Sequence, residues 1–121
     1  MNKKIPNILV FDDDELIRLC WDYAGRQRQN IDTLHFFSCW EEFDEKATPD
    51  LLDGAVAFVD LQFDKVRSNY NGIDIAKKLR AMGISKVYSI TGNPRALADS
   101  RSLFTGIIEK TVPSDIRAFV A

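Results

Sequence analysis

The feature that most constrains this fold is a set of four short, largely apolar runs that each lead into a polar residue. The runs are ILVF, AVAFV, VYSI and IIE, and they are followed by Asp12 and Asp13, by Asp60, by Thr91 and by Lys110. A parallel α/β sheet binds ligands beyond the carboxyl ends of its strands. The sequence therefore predicts one site at that edge, with carboxylates, a hydroxyl and an ammonium group.

Length and composition predict a single domain that spans residues 1–121. The chain is 45% apolar, which is enough to bury one core without disulfide bonds. Its 16 Lys and Arg residues nearly balance 18 Asp and Glu residues, which argues against the broad basic face of nucleic-acid binders. No run reaches the ~18 apolar residues of a spanning helix. Neither nucleic acid nor a membrane is an expected partner.

The cysteines and the amino terminus indicate a cytoplasmic protein. Cys20 and Cys39 form no C-x-x-C pair and lie in segments with helical patterns, which predicts reduced, packed thiols. The amino-terminal sequence runs directly into an apolar strand pattern rather than into a cleavage site.

Strand-like apolar runs alternate with runs at helical spacing, which is the pattern of βα units around a parallel sheet. Five strands and five helices are expected, so the predicted class is α/β. The predicted strands are 8–11, 33–37, 54–59, 86–91 and 107–109. The predicted helices are 15 to about 27, one from a capping box at Ser38 that Pro49 closes, one near 73–82 ended by Gly83, one after Asn93, and 113–120.

The first predicted helix has Asp14 in the position of an N-cap. Its apolar residues recur at helical spacing, namely Leu16, Ile17, Cys20, Tyr23 and Ala24. The single histidine, His35, lies inside a strand pattern and is expected to have no role in the site.

The predicted site chemistry starts from its three carboxylates. Like charges within ~4 to 6 Å repel one another unless a cation lies between them. Mg²⁺ prefers oxygen ligands and is commonly held by carboxylates together with phosphate oxygens, whereas the sequence offers no Cys and His set for zinc. Mg²⁺ is therefore the expected cofactor.

Phosphoryl transfer is the reaction that uses every group of the predicted site. The transferred group spreads its charge over three oxygens, which the metal, Lys110 and Thr91 could each neutralise or bind. Asp60 is the expected nucleophile, because carboxylates can form aspartyl phosphates. It is preferred over Asp64, which lies in a polar stretch before Gly72 rather than at a strand end.

Five blocks of the chain resemble, in order, those of the response-regulator receiver domain. They are ILVFDDDELIR, AFVD, NGIDIAKKLR, SITG and IIEK, and they span nearly the whole chain. The resemblance implies a flavodoxin-like, three-layer, doubly wound sheet of five parallel strands in the order 2-1-3-4-5. It also implies a signalling domain, not an enzyme, that accepts a phosphoryl group from a histidine kinase or phosphotransfer protein.

The resemblance assigns a role to each predicted metal ligand. Asp60 is the expected phospho-acceptor and also a metal ligand. Asp13 is expected to bind Mg²⁺ directly and Asp12 mainly through water. The backbone carbonyl of Gln62 is expected to complete the protein ligands.

Thr91 and Lys110 match the switch hydroxyl and the lysine of the family. Two nearby residues depart from its pattern. Thr111 stands where a proline is common, so a cis peptide bond is not expected there. Ile107 stands where the family often has an aromatic switch residue.

The largest departure is the extended polar stretch from Leu61 to Asn71, in which Asp64 replaces the usual proline. A loop of this length in a compact α/β domain is usually functional or mobile. Lys65, Arg67 and Tyr70 in this stretch could contact a partner or the phosphoryl group, or could simply be solvated.

The sequence keeps three functions open. The expected one is a stand-alone receiver that has no output domain and signals to a downstream protein target through protein–protein interaction. The alternative is a receiver fold that binds its partner without phosphorylation. A small Mg²⁺-dependent phosphatase is the third, although the stretch DDDEL lacks the Thr or Val expected after the second acid of that motif. The sequence also leaves a homodimer open.

Overall fold

A five-stranded parallel sheet forms the centre of the computed structural model, which describes residues 6–60, 72–90, 101–108, 112–113 and 115–120. The sheet order is 2-1-3-4-5, and every strand pair is parallel. The strands are β1 (Ile8–Phe11), β2 (Leu34–Phe37), β3 (Val56–Asp60), β4 (Lys86–Ile90) and β5 (Gly106–Ile108). The predicted fold class and the implied strand order are confirmed.

Helical segments connect the strands. They are α1 (Glu15–Trp21), a π-helical segment (Asp22–Arg28), α2 (Trp40–Lys46), α3 (Pro49–Leu52), α4 (Gly72–Ala81), a 3₁₀ turn (Arg101–Leu103) and α5 (Arg117–Val120). None of the helices in the described ranges has the length and apolar character needed to cross a bilayer.

Both faces of the sheet are buried, as expected for strands that read as continuous apolar runs. Successive side chains of a strand point to opposite faces. Leu9 and Phe11 therefore join a cluster that contains residues of α2 and α4, whereas Ile8 and Val10 join a second cluster on the other face. Phe58 lies in this second cluster, with its ring 5.0 Å from that of Trp21.

The first helical segment differs from the sequence prediction in its geometry and in the side it buries. The prediction ended near residue 27, and the observed helix changes from α to π after Trp21. Trp21 and Gly25 are buried, and an added Cβ at Gly25 would collide with Leu34 of β2. Because this close approach fixes the inward side, Cys20 is exposed, and the prediction that it is a packed thiol is wrong. Cys39 is free and buried, as predicted.

The predicted capping box at Ser38 is also wrong. Helix α2 begins at Trp40 with Cys39 as its N-cap residue, and no side-chain hydrogen bond caps it. The Ser38 hydroxyl instead donates to Oε1 of Glu42. That carboxylate draws the hydroxyl away from the backbone, so the S-x-x-E spacing does not form a box.

Proline and glycine explain two further differences in element bounds. Pro49 begins α3 rather than closing α2, because proline suits the first turn of a helix. Gly54 has a φ of 67°, so the strand predicted from residue 54 begins at Val56. Gly83, which follows Ala81 and Met82 at the end of α4, has a φ of 95° and confirms the predicted end of that helix. The start of the helix predicted after Asn93 lies outside the described residues.

Gln29 holds the C-terminal segment against the end of the π-helical segment. Its Nε2 donates to the carbonyl oxygen of Pro113 at 3.0 Å, and its Oε1 accepts from the backbone N–H of Ile116 at 2.8 Å. The Ile116 side chain is fully buried. These side-chain hydrogen bonds serve backbone groups of the stretch predicted as a helix over 113–120, and α5 begins only at Arg117.

We predict that Gln29→Ala lowers the free energy of unfolding by about 1 to 2 kcal/mol, because two backbone groups lose their hydrogen-bond partner. Gln27→Ala is the matched control, since Gln27 is exposed in the same segment and should change stability by less than ~0.5 kcal/mol. Urea denaturation of the two variants and the parent measures this. Equal stabilities of the two variants would contradict the assigned role of Gln29.

Candidate functional site

Three carboxylates meet at the carboxyl edge of the two central strands. Asp12 and Asp13 directly follow β1, and Asp60 is the last residue of β3. One carboxylate oxygen of each residue lies within 4.8 Å of those of the other two. Asp12 and Asp60 are 0% and 3% exposed, whereas Asp13 is exposed. The structure thus brings together three of the residues that the sequence placed at one site.

Strand pairing places these acids. Strands β1 and β3 are paired in parallel from Ile8 opposite Val56 to Phe11 opposite Val59. The next residue of each segment is an aspartate: Asp12 follows Phe11, and Asp60 follows Val59. The two carboxylates meet because the apolar runs before them end at the same level of the sheet.

The turn between β1 and α1 is shaped by its own carboxylates. Asp12 Oδ1 accepts from the backbone N–H of Asp14 at 2.9 Å, and Asp14 Oδ1 accepts from the N–H of Leu16 at 3.0 Å. The first contact is a local side-chain turn of the kind that aspartate favours, and the second is the predicted N-cap of α1. Asp13 is held between these two fixed residues.

The donor set and its spacing fit a hard divalent cation. Three carboxylates this close repel one another, and a cation among them removes the repulsion. Two oxygens bound to one octahedral Mg²⁺ at roughly 2.1 Å lie about 3 Å apart when adjacent and about 4 Å apart when opposite. The carboxylate oxygens here lie within 4.8 Å of one another, so only small side-chain adjustments would bring them to these distances. The cluster could therefore hold a metal ion.

Several predicted site residues lie outside the described residues. They are Gln62, Thr91 and Lys110, together with the extended stretch 61–71 and Thr111. Their roles stay predictions from the sequence. Ile107 is described: it lies in β5 opposite Ser89 of β4 and packs against the core.

Ser38 and Glu42 form a polar pair that the sequence analysis did not assign to this edge of the sheet. Ser38 directly follows β2, the neighbour of β1. The hydrogen bond from its hydroxyl lowers the pKa of the Glu42 carboxyl below its usual value. The sequence carries this pair as a serine four residues before a glutamate, whereas the predicted capping box joins Ser38 to Glu41.

His35 takes no part in the acidic cluster. It lies within β2 opposite Leu9, and its Nε2 is 3.1 Å from Oδ1 of Asn7. Burial lowers the pKa of the imidazole below 6.5, and the positive charges of Arg26 and Lys46 lower it further. Where the chain is described, Asp12, Asp13 and Asp60 are the one group of three or more His, Cys, Asp or Glu side chains that could share an ion.

Comparisons with known proteins find similarity in structure rather than in sequence. No protein-family model and no curated protein match the chain. A response regulator receiver protein from Pseudoalteromonas atlantica is 17% identical with a TM-score of 0.70, over 95% of this chain and 97% of that one. The receiver domain of NtrX from Brucella abortus is 17% identical with a TM-score of 0.64, over 94% and 92%.

A third similar structure belongs to a longer protein. RcsB from Salmonella enterica serovar Typhimurium is 18% identical with a TM-score of 0.70, over 97% of this chain. This chain spans 59% of the RcsB chain. At these identities the likeness concerns the fold, and the chain has the fold of a response-regulator receiver domain.

We predict that stability falls as the pH is lowered through about 6.5, because the unfolded chain then takes up a proton on His35 that the folded chain resists. The contribution is fully present above pH 6.5 and is lost as the pH falls through the lower folded-state pKa. As the chain has one histidine, NMR can follow its imidazole alone in the folded and urea-unfolded protein. A folded-state midpoint at or above the unfolded one would refute this, and His35→Gln should remove this part of the slope.

Proposed function

We propose that this chain is a phosphorylatable two-component receiver that accepts a phosphoryl group on Asp60 from a histidine kinase or phosphotransfer protein in the cytoplasm. The observation that carries the proposal is the convergence of the Asp12, Asp13 and Asp60 carboxylates within 4.8 Å at the carboxyl edge of a receiver-like sheet. A phosphoryl group and its metal need such a concentration of oxygen donors, whereas a purely structural role does not.

Asp60 is the best placed nucleophile of the three acids. It ends a fully buried strand and is paired with Ile90 of β4, so the backbone that carries it is fixed before the donor arrives. Fixing a reacting group in advance removes part of the entropy cost of the transition state. An Asp60 oxygen bonds to phosphorus while the phosphorus–nitrogen bond of the donor phosphohistidine breaks, and the released imidazole nitrogen takes a proton from solvent.

The proposed metal site is made of Asp12, Asp13, Asp60 and the backbone carbonyl of Gln62. Bound Mg²⁺ supplies positive charge for the oxygens of the transferred group. Asp13, which is exposed, is the proposed direct ligand, and the buried Asp12 contributes mainly through water. The chain's task is to gather the three carboxylates at one point.

Thr91 and Lys110 complete the proposal. Thr91 follows β4 in the sequence, and Lys110 follows β5. Both strands lie on the side of β3 that faces away from β2. A hydroxyl and an ammonium group there suit the two phosphoryl oxygens that the metal does not contact. Phosphorylation adds roughly 1.5 to 2 negative charges beside them, which favours their movement toward Asp60.

The proposed output is a protein–protein interaction by a single receiver domain. Response-regulator neighbours favour a signalling domain over a conventional enzyme. RcsB was determined on promoter DNA with a phosphomimetic, but the near balance of acidic and basic residues in this chain favours a protein as its own target.

We predict that Asp13→Asn weakens Mg²⁺ binding by about tenfold or more, because the pocket loses a direct anionic ligand. Asp14→Asn is the matched control: it removes a charge one residue away, and asparagine caps the helix equally well. Isothermal titration with Mg²⁺ measures both affinities. An equal loss in the two variants would indicate diffuse charge attraction rather than a ligand pocket.

We predict that acetyl phosphate with Mg²⁺ adds one phosphoryl group to the parent chain and to Asp14→Asn but not to Asp60→Asn. Intact-mass spectrometry detects the adduct, and chelation of Mg²⁺ should abolish it. An unmodified parent chain would favour the alternative of a binding domain that acts without phosphorylation. Turnover of many donor equivalents without a lasting adduct would favour a phosphatase.

A further inference from the structure

An apolar stripe lies on the exposed side of α1 and the π-helical segment. Leu16, Leu19 and Tyr23 are 68%, 60% and 57% exposed, and Cys20, which lies between them, is exposed as well. Their spacing places them on one face of the helix. Single exposed apolar side chains are ordinary, but a contiguous group on one element indicates a surface that another molecule covers.

Charged residues of alternating sign flank one side of the stripe. Glu15, Arg18, Asp22 and Arg26 line, with Leu19 and Phe36, a groove between this helix and β2. The order along the helix is negative, positive, negative, positive. The Asp22 and Arg26 side chains form an ion pair at 2.8 Å and are 39% and 46% exposed, and Arg26 Nη2 also donates to the carbonyl oxygen of Leu34 at 2.9 Å.

We propose that this surface is the interface of a homodimer in which the stripes of two chains pack antiparallel about a twofold axis near Cys20. In an antiparallel pair, each flank faces the same flank of the other copy in reverse order. Glu15 then faces Arg26 of the second copy, and Arg18 faces Asp22 of the second copy. Every one of the four charges meets an opposite charge.

The apolar stripe and the charged flank both place the axis close to Cys20. In the apolar stripe, the midpoint between Leu16 and Tyr23 lies between Leu19 and Cys20. In the charged flank, the midpoint between Arg18 and Asp22 is Cys20, and the midpoint between Glu15 and Arg26 lies between Cys20 and Trp21. The charged row is complementary to its own reverse, so a second copy is the occupant that the charge pattern favours.

The two parts of the surface have different tasks. Burial of leucine and tyrosine side chains supplies the affinity. The flanking charges are at the rim, where they contribute orientation and discrimination more than affinity. This inference goes beyond the proposed phosphorylation and does not depend on it.

Cys20 provides a direct test, because a disulfide forms only when the two Cα atoms lie within roughly 7 Å. Mild oxidation of the full chain with copper phenanthroline should give a disulfide-linked dimer. Cys20→Ser should abolish it, and Cys39→Ser should not, since Cys39 is buried. Leu19→Glu should raise the dimer dissociation constant in sedimentation equilibrium by about tenfold or more and remove the cross-link.

A charge exchange tests the orientation. Glu15→Arg alone should weaken the dimer, and Glu15→Arg combined with Arg26→Glu should restore it. A chain that is monomeric at all concentrations and does not cross-link would overturn the proposal and assign the stripe to another protein. A dimer that Leu19→Glu leaves intact would overturn it as well. Phosphorylation by acetyl phosphate needs no contact with this face, so its outcome is independent.

Discussion

The parallel pairing of β1 with β3 is the constraint on which the rest of the site depends. Both strands are buried on two faces, and their register brings the aspartates that follow Phe11 and Val59 to the same level. The chain thereby places two carboxylates at a point with almost no access to bulk water and adds a third, Asp13, at the exposed side. Such an arrangement is unfavourable by itself, and a bound cation makes it favourable.

The sheet was predictable because its signal is local and strong. The continuous apolar run before Asp12 leaves little choice for β1, whose bounds match the prediction. The run before Asp60 predicts β3 as a strand, although β3 begins at Val56 rather than at residue 54. The residue type of Gly83 also gave the end of α4 correctly, because a left-handed turn there suits glycine. The convergence of Asp12, Asp13 and Asp60 followed from the strand ends alone.

The errors arose where tertiary contacts decide between local options. The close approach of Gly25 to Leu34, not helical periodicity, fixes which side of the first helical segment is buried and leaves Cys20 exposed. The pairing of Ser38 with Glu42 replaced a cap that the spacing allowed equally well. Helical periodicity in the sequence shows which residues share one face of a helix. Only the packing of the neighbouring strand determines whether that face is buried.

The central structural proposal is that the carboxylates of Asp12, Asp13 and Asp60 form a single cation pocket. The most direct measurement is a crystal structure of the chain with Mn²⁺, an anomalous scatterer that takes the same oxygen ligands as Mg²⁺. We predict one anomalous peak in direct contact with carboxylate oxygens of Asp13 and Asp60, with Asp12 linked through water. A peak elsewhere, or carboxylates that turn apart without binding an ion, would contradict it.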